Sequence, residues 1–107
     1  TAGPRGPEVL QMGALELDPA ARMARVGATD LALTATEFRL LARLLAEPGR
    51  LVARGALVAA IWGAQSGVAD RTLDSHLRNL RRKLAEAGLE GGVETLHGQG
   101  FRLAGRR

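Results

Sequence analysis

Apolar and polar residues alternate in short stretches over the first third of the chain. Leu15 and Leu17 are two residues apart, as are Leu31 and Leu33, and this spacing is typical of strands with one buried face. Turn signals such as Asp18-Pro19 separate the stretches. The pattern predicts four short antiparallel strands, near residues 8–11, 14–18, 22–26 and 29–33.

Apolar residues then recur at helical spacing in three segments. Thr34-Ala35-Thr36-Glu37 is a capping-box pattern that predicts a helix running to about Ala46, where Glu47-Pro48-Gly49 ends it. A second helix is predicted over about 54–62. A third is predicted with Asp70 as its N-cap, continuing to about residue 87, with Gly88 suited to its C-terminal cap.

The C-terminal part of the chain is predicted to be a β-hairpin. Val93–Leu96 and Phe101–Ala104 are the strands, and His97-Gly98-Gln99-Gly100 supplies glycines for a turn with positive φ. Residues 1–7, with two prolines and two glycines, predict a linker or disordered N-terminus. The expected architecture is therefore one α+β domain over residues 8–105, with a four-stranded antiparallel sheet, three helices and a C-terminal hairpin.

The composition of the 107 residues narrows the function classes. The chain has no cysteine, which excludes disulfides and thiolate metal sites and fits a cytoplasmic location. Nucleotide-binding loops, nucleophile elbows and suitably spaced carboxylate pairs are missing, so we expect neither an enzyme nor a cofactor or metal site. No apolar run approaches the ~18 residues of a membrane span, and we expect no membrane partner.

Positive charge is concentrated in the third predicted helix. The net charge of the chain is +4, and residues 1–53 hold six basic and six acidic side chains. Residues 71–83 hold five basic side chains, including Lys83, against the single acidic Asp74. A cationic stripe of this kind is typical of nucleic-acid binders, although a solvated helix face with surplus arginine would look the same.

The third helix also separates its residues into two faces. Its leucines recur at steps of four, three and four and predict a buried stripe, made of Leu73, Leu77, Leu80 and Leu84. Polar residues cluster on the opposite face, at Arg71, Ser75, Arg78 and Arg82, flanked by Asp74, Asn79 and Arg81. Arginine can bind guanine, and asparagine adenine, with two hydrogen bonds each. The pattern predicts a helix that reads double-stranded DNA in the major groove.

Several motifs together resemble a known family. They are Leu33-Thr34-Ala35-Thr36-Glu37-Phe38-Arg39-Leu40-Leu41, Glu47-Pro48-Gly49-Arg50-Leu51-Val52, Ile61-Trp62-Gly63, Arg71 to Leu84, and His97-Gly98-Gln99-Gly100-Phe101-Arg102-Leu103. In this order and spacing, the chain from about residue 15 to 103 resembles the OmpR/PhoB-type winged-helix effector domain. The resemblance implies a winged helix-turn-helix with the hairpin as its wing. It also implies sequence-specific DNA binding in transcription regulation, within a two-component response regulator whose receiver domain lies outside these residues.

The resemblance also implies roles for individual residues. Base edges would be contacted by Ser75, Arg78, Asn79 and Arg82. Phosphates would be contacted by Trp62, Arg71, His76 and Arg81, and the wing would contribute Thr95, His97 and Gln99. The loop Gly63–Asp70 would contact RNA polymerase, and two copies would bind a direct-repeat operator as a head-to-tail dimer.

The sequence departs from the family pattern at four positions. His97 stands where the wing usually carries arginine, and histidine is mostly uncharged at neutral pH. Phe101 replaces a tyrosine, Ala53 replaces a serine N-cap, and Asn79 replaces a frequent arginine. The last change should alter the preferred base.

Other interpretations remain open at this point. The same fold serves as a protein–protein interaction module and in transcription activators that are not phosphorylated. RNA binding is a further possibility, but the chain has only three aromatic residues for base stacking. Trp62 could equally be a core residue at the end of the second helix, and His76 could be a packing histidine at the edge of the leucine stripe.

Overall fold

The N-terminal part of the molecule is a four-stranded antiparallel sheet in the order β1-β2-β3-β4. The computed structural model describes residues 9–63, 69–89 and 92–103, and only the backbone of 69–71. The strands are β1 (Leu10–Met12), β2 (Leu15–Asp18), β3 (Met23–Val26) and β4 (Thr29–Asp30). Cross-strand partners in β2 and β3 put four buried side chains on one face, namely Leu15, Leu17, Ala24 and Val26. The alternation in the sequence correctly predicted this buried face.

Strand β4 is shorter than predicted, because pairing ends after Asp30 and does not reach Leu33. The amide of Leu31 still donates to the carbonyl of Ala24 at 2.9 Å, but the carbonyl of Ala32 accepts from Nζ of Lys83 at 2.8 Å. Leu31 and Leu33 are half-buried against the core without belonging to a strand. The segment after Asp30 is therefore held by one backbone hydrogen bond to β3 and by a side chain of α3.

Three helices follow, α1 (Ala35–Leu45), α2 (Arg54–Trp62) and α3 (Ala69–Glu86). The predicted capping box of α1 is confirmed: the amide of Glu37 donates to Oγ1 of Thr34 at 3.1 Å, and the amide of Thr34 donates to Oε1 of Glu37 at 3.0 Å. Helix α2 has Ala53 at its N-cap position and therefore no side-chain cap, as its sequence led us to expect.

The N-terminus of α3 corrects one expectation. Asp70 lies inside the first turn of the helix and is not its N-cap, because α3 already begins at Ala69. An acidic residue is favourable at either position, since both lie beside the positive end of the helix dipole, so the residue type did not fix the boundary.

The C-terminus of α3 is closed by a glycine, as predicted. Gly88 has a φ of 106°, and the amide of Leu89 donates to the carbonyl of Leu84 at 2.8 Å. The amide of Gly88 donates to the carbonyl of Ala85 at 3.0 Å, which completes a Schellman motif.

The C-terminal hairpin consists of β5 (Val93–Leu96) and β6 (Gly100–Leu103), so β6 begins one residue earlier than predicted. Val52, which lies just before α2, pairs with Phe101 through hydrogen bonds of 2.8 and 2.9 Å. Gly100 makes this pairing possible: its φ is 147°, and a Cβ atom there would lie 2.2 Å from the carbonyl oxygen of Val52. The hairpin is thus fixed to the segment that precedes α2.

A leucine-rich core lies between the helices, the inner face of the N-terminal sheet and the hairpin. The predicted stripe of α3 is buried in full, with Leu73, Leu77, Leu80 and Leu84 each at most 2% exposed. Helix α1 packs against both α2 and α3, and Leu41 and Leu44 are completely buried. Among the described residues, no helix is long and apolar enough to cross a bilayer. Since one face of α3 is fixed in the core, its opposite face is turned to solvent.

Candidate nucleic-acid interface

The outer face of α3 carries the side chains that were predicted to meet base edges. Ser75, Arg78, Asn79 and Arg82 are all exposed. The backbone of Arg71 belongs to the same helix, but its side chain lies outside the described part of the molecule. The structure therefore places the four predicted base readers together on one accessible surface, which we call the outer face of α3.

Two arginines on or near this surface already form ion pairs within the protein. Nη2 of Arg54, on α2, lies 2.7 Å from Oδ1 of Asp74, and Arg82 lies 3.4 Å from Glu86 one helical turn away. The side chains of Arg78 and Asn79 make no hydrogen bond or ion pair with any other described residue. The donors on the outer face that have no partner among the described residues therefore include those of Arg78 and Asn79.

Lys83 does not belong to this surface, although it was counted in the cationic stripe. Its Nζ lies 2.6 Å from Oε1 of Glu37 and only 21% of its side chain is exposed. Burial raises the pKa of Glu37, but the hydrogen bonds from Lys83 and from the Thr34 amide, with the positive charges of Lys83 and His76, outweigh it and lower the pKa below its ordinary value. Lys83 therefore attaches α3 to α1 and is not counted among the residues available to a ligand.

Trp62 and His76 lie side by side where α2 approaches α3. Their ring centroids are 5.9 Å apart, at an interplanar angle of 36°, and both residues are half-buried. Trp62 packs against the core, as the simpler interpretation held, and His76 is at the edge of the leucine stripe. Each residue also keeps a part of its surface exposed, so packing and contact with a ligand are compatible for both.

The wing stands beside α3. Thr95, His97 and Gln99 are exposed, and the last two form the turn of the hairpin with Gly98. Arg81, predicted to hold a phosphate, is half-buried, and its Nη2 donates to Oγ1 of Thr95 on β5. The structure thus joins two residues that the sequence had assigned separately to the helix and to the wing.

A cleft of about 690 Å³ separates the wing from α2 and α3. Of the described residues that line it, three are arginines, Arg54, Arg78 and Arg81, and one is acidic, Asp74. The turn of the wing forms its other wall. A cleft with this excess of positive charge attracts anions such as phosphate.

Arg54 is the main feature of the site that sequence reasoning missed. It begins α2, pairs with Asp74 and places its guanidinium carbon 5.6 Å from the ring centroid of Phe101. These partners are 20 or more residues away along the chain, so no local pattern indicated them. Its position as the first residue of a helix without a side-chain cap was the one local signal.

Known proteins share this sequence and this arrangement. The family described as transcriptional regulatory protein, C terminal, matches residues 28–103. The phosphate regulon transcriptional regulatory protein PhoB of Klebsiella pneumoniae is 37% identical over 99 residues, which cover 92% of this chain and 43% of that protein. The chain therefore spans less than half the length of the curated relatives it matches.

Solved structures are similar over nearly the whole chain. The Klebsiella pneumoniae RstA DNA-binding domain, in complex with the RstA box, superposes with a TM-score of 0.80 at 27% identity and covers 92% of this chain and 99% of its own. The DNA-binding domain of CpxR from E. coli has a TM-score of 0.77 and 34% identity, and the match covers 89% of this chain and 94% of the CpxR chain. Since the family match extends over most of the chain and the fold is the same, this chain belongs to the OmpR/PhoB-type winged-helix DNA-binding domains of transcriptional regulators, a family without enzymatic activity.

Proposed function

We propose that this domain binds double-stranded DNA sequence-specifically, with α3 in the major groove, and regulates transcription as the effector part of a two-component response regulator. The observation that carries the proposal is the outer face of α3. There the donors of Arg78 and Asn79 have no partner among the described residues and lie opposite the buried leucine stripe. An α-helix fits the major groove, and these two side-chain types suit guanine and adenine respectively.

The proposed base contacts are Ser75, Arg78, Asn79 and Arg82. Arg82 is available in spite of its pairing with Glu86, because the two side chains are 56% and 65% exposed. An exposed pair of this kind contributes about 0–1 kcal/mol and exchanges readily for a base or phosphate. Ser75 can donate to or accept from a base edge and adds little selectivity by itself.

The proposed backbone contacts surround these residues. Trp62, Arg71 and His76 would meet one strand at the N-terminal end of α3, and Arg81 would meet a phosphate in the cleft. His97 and Gln99 would follow the backbone or enter the minor groove beside the wing, with Thr95 at its base. Contacts of this kind set the register of α3 on the duplex and carry no sequence information of their own.

The wider partners follow from the family and from the length of the relatives. We propose a receiver domain elsewhere in the full-length protein, head-to-tail dimers on a direct-repeat operator, RNA polymerase contact through the loop Gly63–Asp70, and a cytoplasmic location. Residues 64–68 of that loop lie outside the described part of the chain.

A protein–protein interaction module is the competing function. Such a module would present apolar side chains where its partner binds, because apolar burial drives most protein association. The outer face of α3 presents polar and charged side chains instead. Among the described residues the exposed large apolar side chains are Met23 and Leu51, neither of them on this helix.

Selection of bound sequences from a random duplex library, at near-physiological salt, tests the proposal. We expect a short motif, repeated in the same orientation. An inverted repeat would contradict the head-to-tail arrangement and leave base reading intact. Recovery of no motif, with weak binding that salt abolishes, would reduce the outer face of α3 to a nonspecific cationic patch and favour the interaction module.

A further inference from the structure

One hydrogen bond joins α3 to the wing across the cleft. Nη2 of Arg81 donates to Oγ1 of Thr95, fourteen residues further along the chain. Arg81 belongs to the helix and Thr95 to strand β5, and both line the cleft. A hydrogen bond between the two elements can therefore affect how both bind the same ligand.

Arg81 is restrained both by burial and by this hydrogen bond, whereas Arg78, which also lines the cleft, is exposed. Arg81 is half-buried and its Nε is inaccessible to solvent, with no hydrogen-bond partner among the described residues. Of the five N–H groups of a guanidinium, one is therefore enclosed and one is donated to Thr95, which leaves three on the Nη atoms. Thr95 itself is exposed, so its hydroxyl holds the guanidinium at the open side of the protein.

We infer that Thr95 is a positioning residue that acts on DNA through Arg81: its hydroxyl holds the guanidinium over the cleft, where Arg81 binds one backbone phosphate. The inference rests on the proposed function and deepens it. It replaces the expectation that Thr95 makes a DNA contact of its own.

The physical reason is the cost of ordering a long side chain. Arginine loses considerable rotamer freedom when it is fixed against a ligand, and a hydrogen bond that already exists in the free domain removes part of that loss. The surplus of arginine over acidic residues around the cleft suits a single phosphate, whose oxygens accept the remaining Nη donors.

The test is a double-mutant cycle in the 107-residue chain. Thr95→Val, Arg81→Ala and the double variant are compared with the wild type by fluorescence anisotropy over a range of NaCl concentrations, on the duplex recovered by selection. We expect Thr95→Val to weaken binding about two- to tenfold, the effect of one side chain left unordered, with no change in salt slope. Arg81→Ala should weaken binding further and lower the slope by about one. Thr95→Val should have no effect in the Arg81→Ala background.

Two control variants accompany the cycle. Thr95→Ser keeps the hydroxyl and should bind like the wild type, and Thr29→Val, on the distant strand β4, should also leave binding unchanged. If Arg81→Ala does not fold, as judged by circular dichroism, Arg81→Gln serves in its place, because glutamine also removes the positive charge and the forked guanidinium but keeps a longer polar side chain.

Independent, additive effects of Thr95→Val and Arg81→Ala would show that Thr95 contacts DNA itself. This result would overturn the inference about Thr95 but not the proposed DNA binding. The same holds if Thr95→Val weakens binding only in proportion to a loss of thermal stability. A wild-type domain that binds no duplex overturns the proposed function, and this inference with it.

Discussion

Nζ of Lys83 lies 2.6 Å from Oε1 of Glu37, and this ion pair fastens α3 to the first turn of α1. Glu37 is 2% exposed and also closes the capping box with Thr34, so one carboxylate serves two elements. Lys83 adds a bond to the carbonyl of Ala32. The orientation of the helix that carries the proposed DNA-binding face therefore depends on a contact far from that face.

Acid should destabilise the domain through Glu37. Because the pKa of Glu37 is lowered on folding, its stabilising effect is present at pH values above its ordinary pKa and is lost as the pH falls through the lowered value. The free energy of unfolding of the wild type should drop below about pH 5, whereas that of Glu37→Gln should be flatter there. Urea unfolding followed by the fluorescence of Trp62, the only tryptophan, measures both.

At neutral pH, Glu37→Gln should lower the free energy of unfolding by about 2 kcal/mol. This is below the ~3–5 kcal/mol typical of a fully buried pair, since Lys83 remains 21% exposed and can be hydrated. Glu86→Gln, which breaks an exposed pair with Arg82, is the matched control and should cost less than about 1 kcal/mol. Equal losses of unfolding free energy in the two variants would show that the buried pair stabilises the domain no more than the exposed pair does.

The hairpin offers a second test through two neighbouring glycines. Gly100→Ala must force a Cβ atom against the Val52 carbonyl, and the backbone there is already at positive φ. We expect a loss of about 3 kcal/mol or more. Gly98→Ala meets positive φ alone, with nothing within 4 Å of its Cβ, and should cost about 1 kcal/mol. Thermal unfolding by circular dichroism separates the two; similar midpoints would contradict the close approach.

Helix α2 can be made more stable at its uncapped start. Ala53 has the extended backbone of an N-cap but no side-chain oxygen, so Ala53→Ser should add about 1 kcal/mol. Ala59→Ser, in the exposed middle of the same helix, should instead destabilise by about 0.5 kcal/mol. Urea unfolding of both variants measures the difference, and a loss of stability on Ala53→Ser would argue against the cap assignment.

Local patterns in the sequence were sufficient for much of this fold. The capping box of Thr34 and Glu37 and the leucine stripe of α3 depend on residues within a few turns of one another, and the structure confirms both. Strand β4 and the start of α3 were placed less well. After Asp30 the chain leaves the sheet and is bonded to Lys83, 51 residues away from Ala32, and no local pattern indicates such a contact.

The site was predictable only in part, for the same reason. The exposed face of α3 follows from helical periodicity once the leucines are buried. The contacts of Arg54 with Asp74 and of Arg81 with Thr95 depend on how α2, α3 and the wing pack together. Periodicity within one helix contains no information about such pairs.

The wing of this domain should respond to an added charge at its tip. His97→Arg supplies a permanent cation at an exposed position of the turn, and a new phosphate contact would strengthen binding and raise the salt slope by about one at pH 7.5. His97→Gln adds no charge and should leave the slope unchanged. If His97→Arg leaves both affinity and slope unaltered, the tip of the wing does not reach the DNA.

Asn79→Ala shows whether the outer face of α3 reads bases. Affinities are measured on the selected duplex with each of the four base pairs substituted in turn at every position of the motif. We predict that Asn79→Ala loses about 1–3 kcal/mol of discrimination at a single A·T pair and keeps the preferences elsewhere. An equal loss of affinity for all sequences, with every base preference retained, would contradict base reading by this helix.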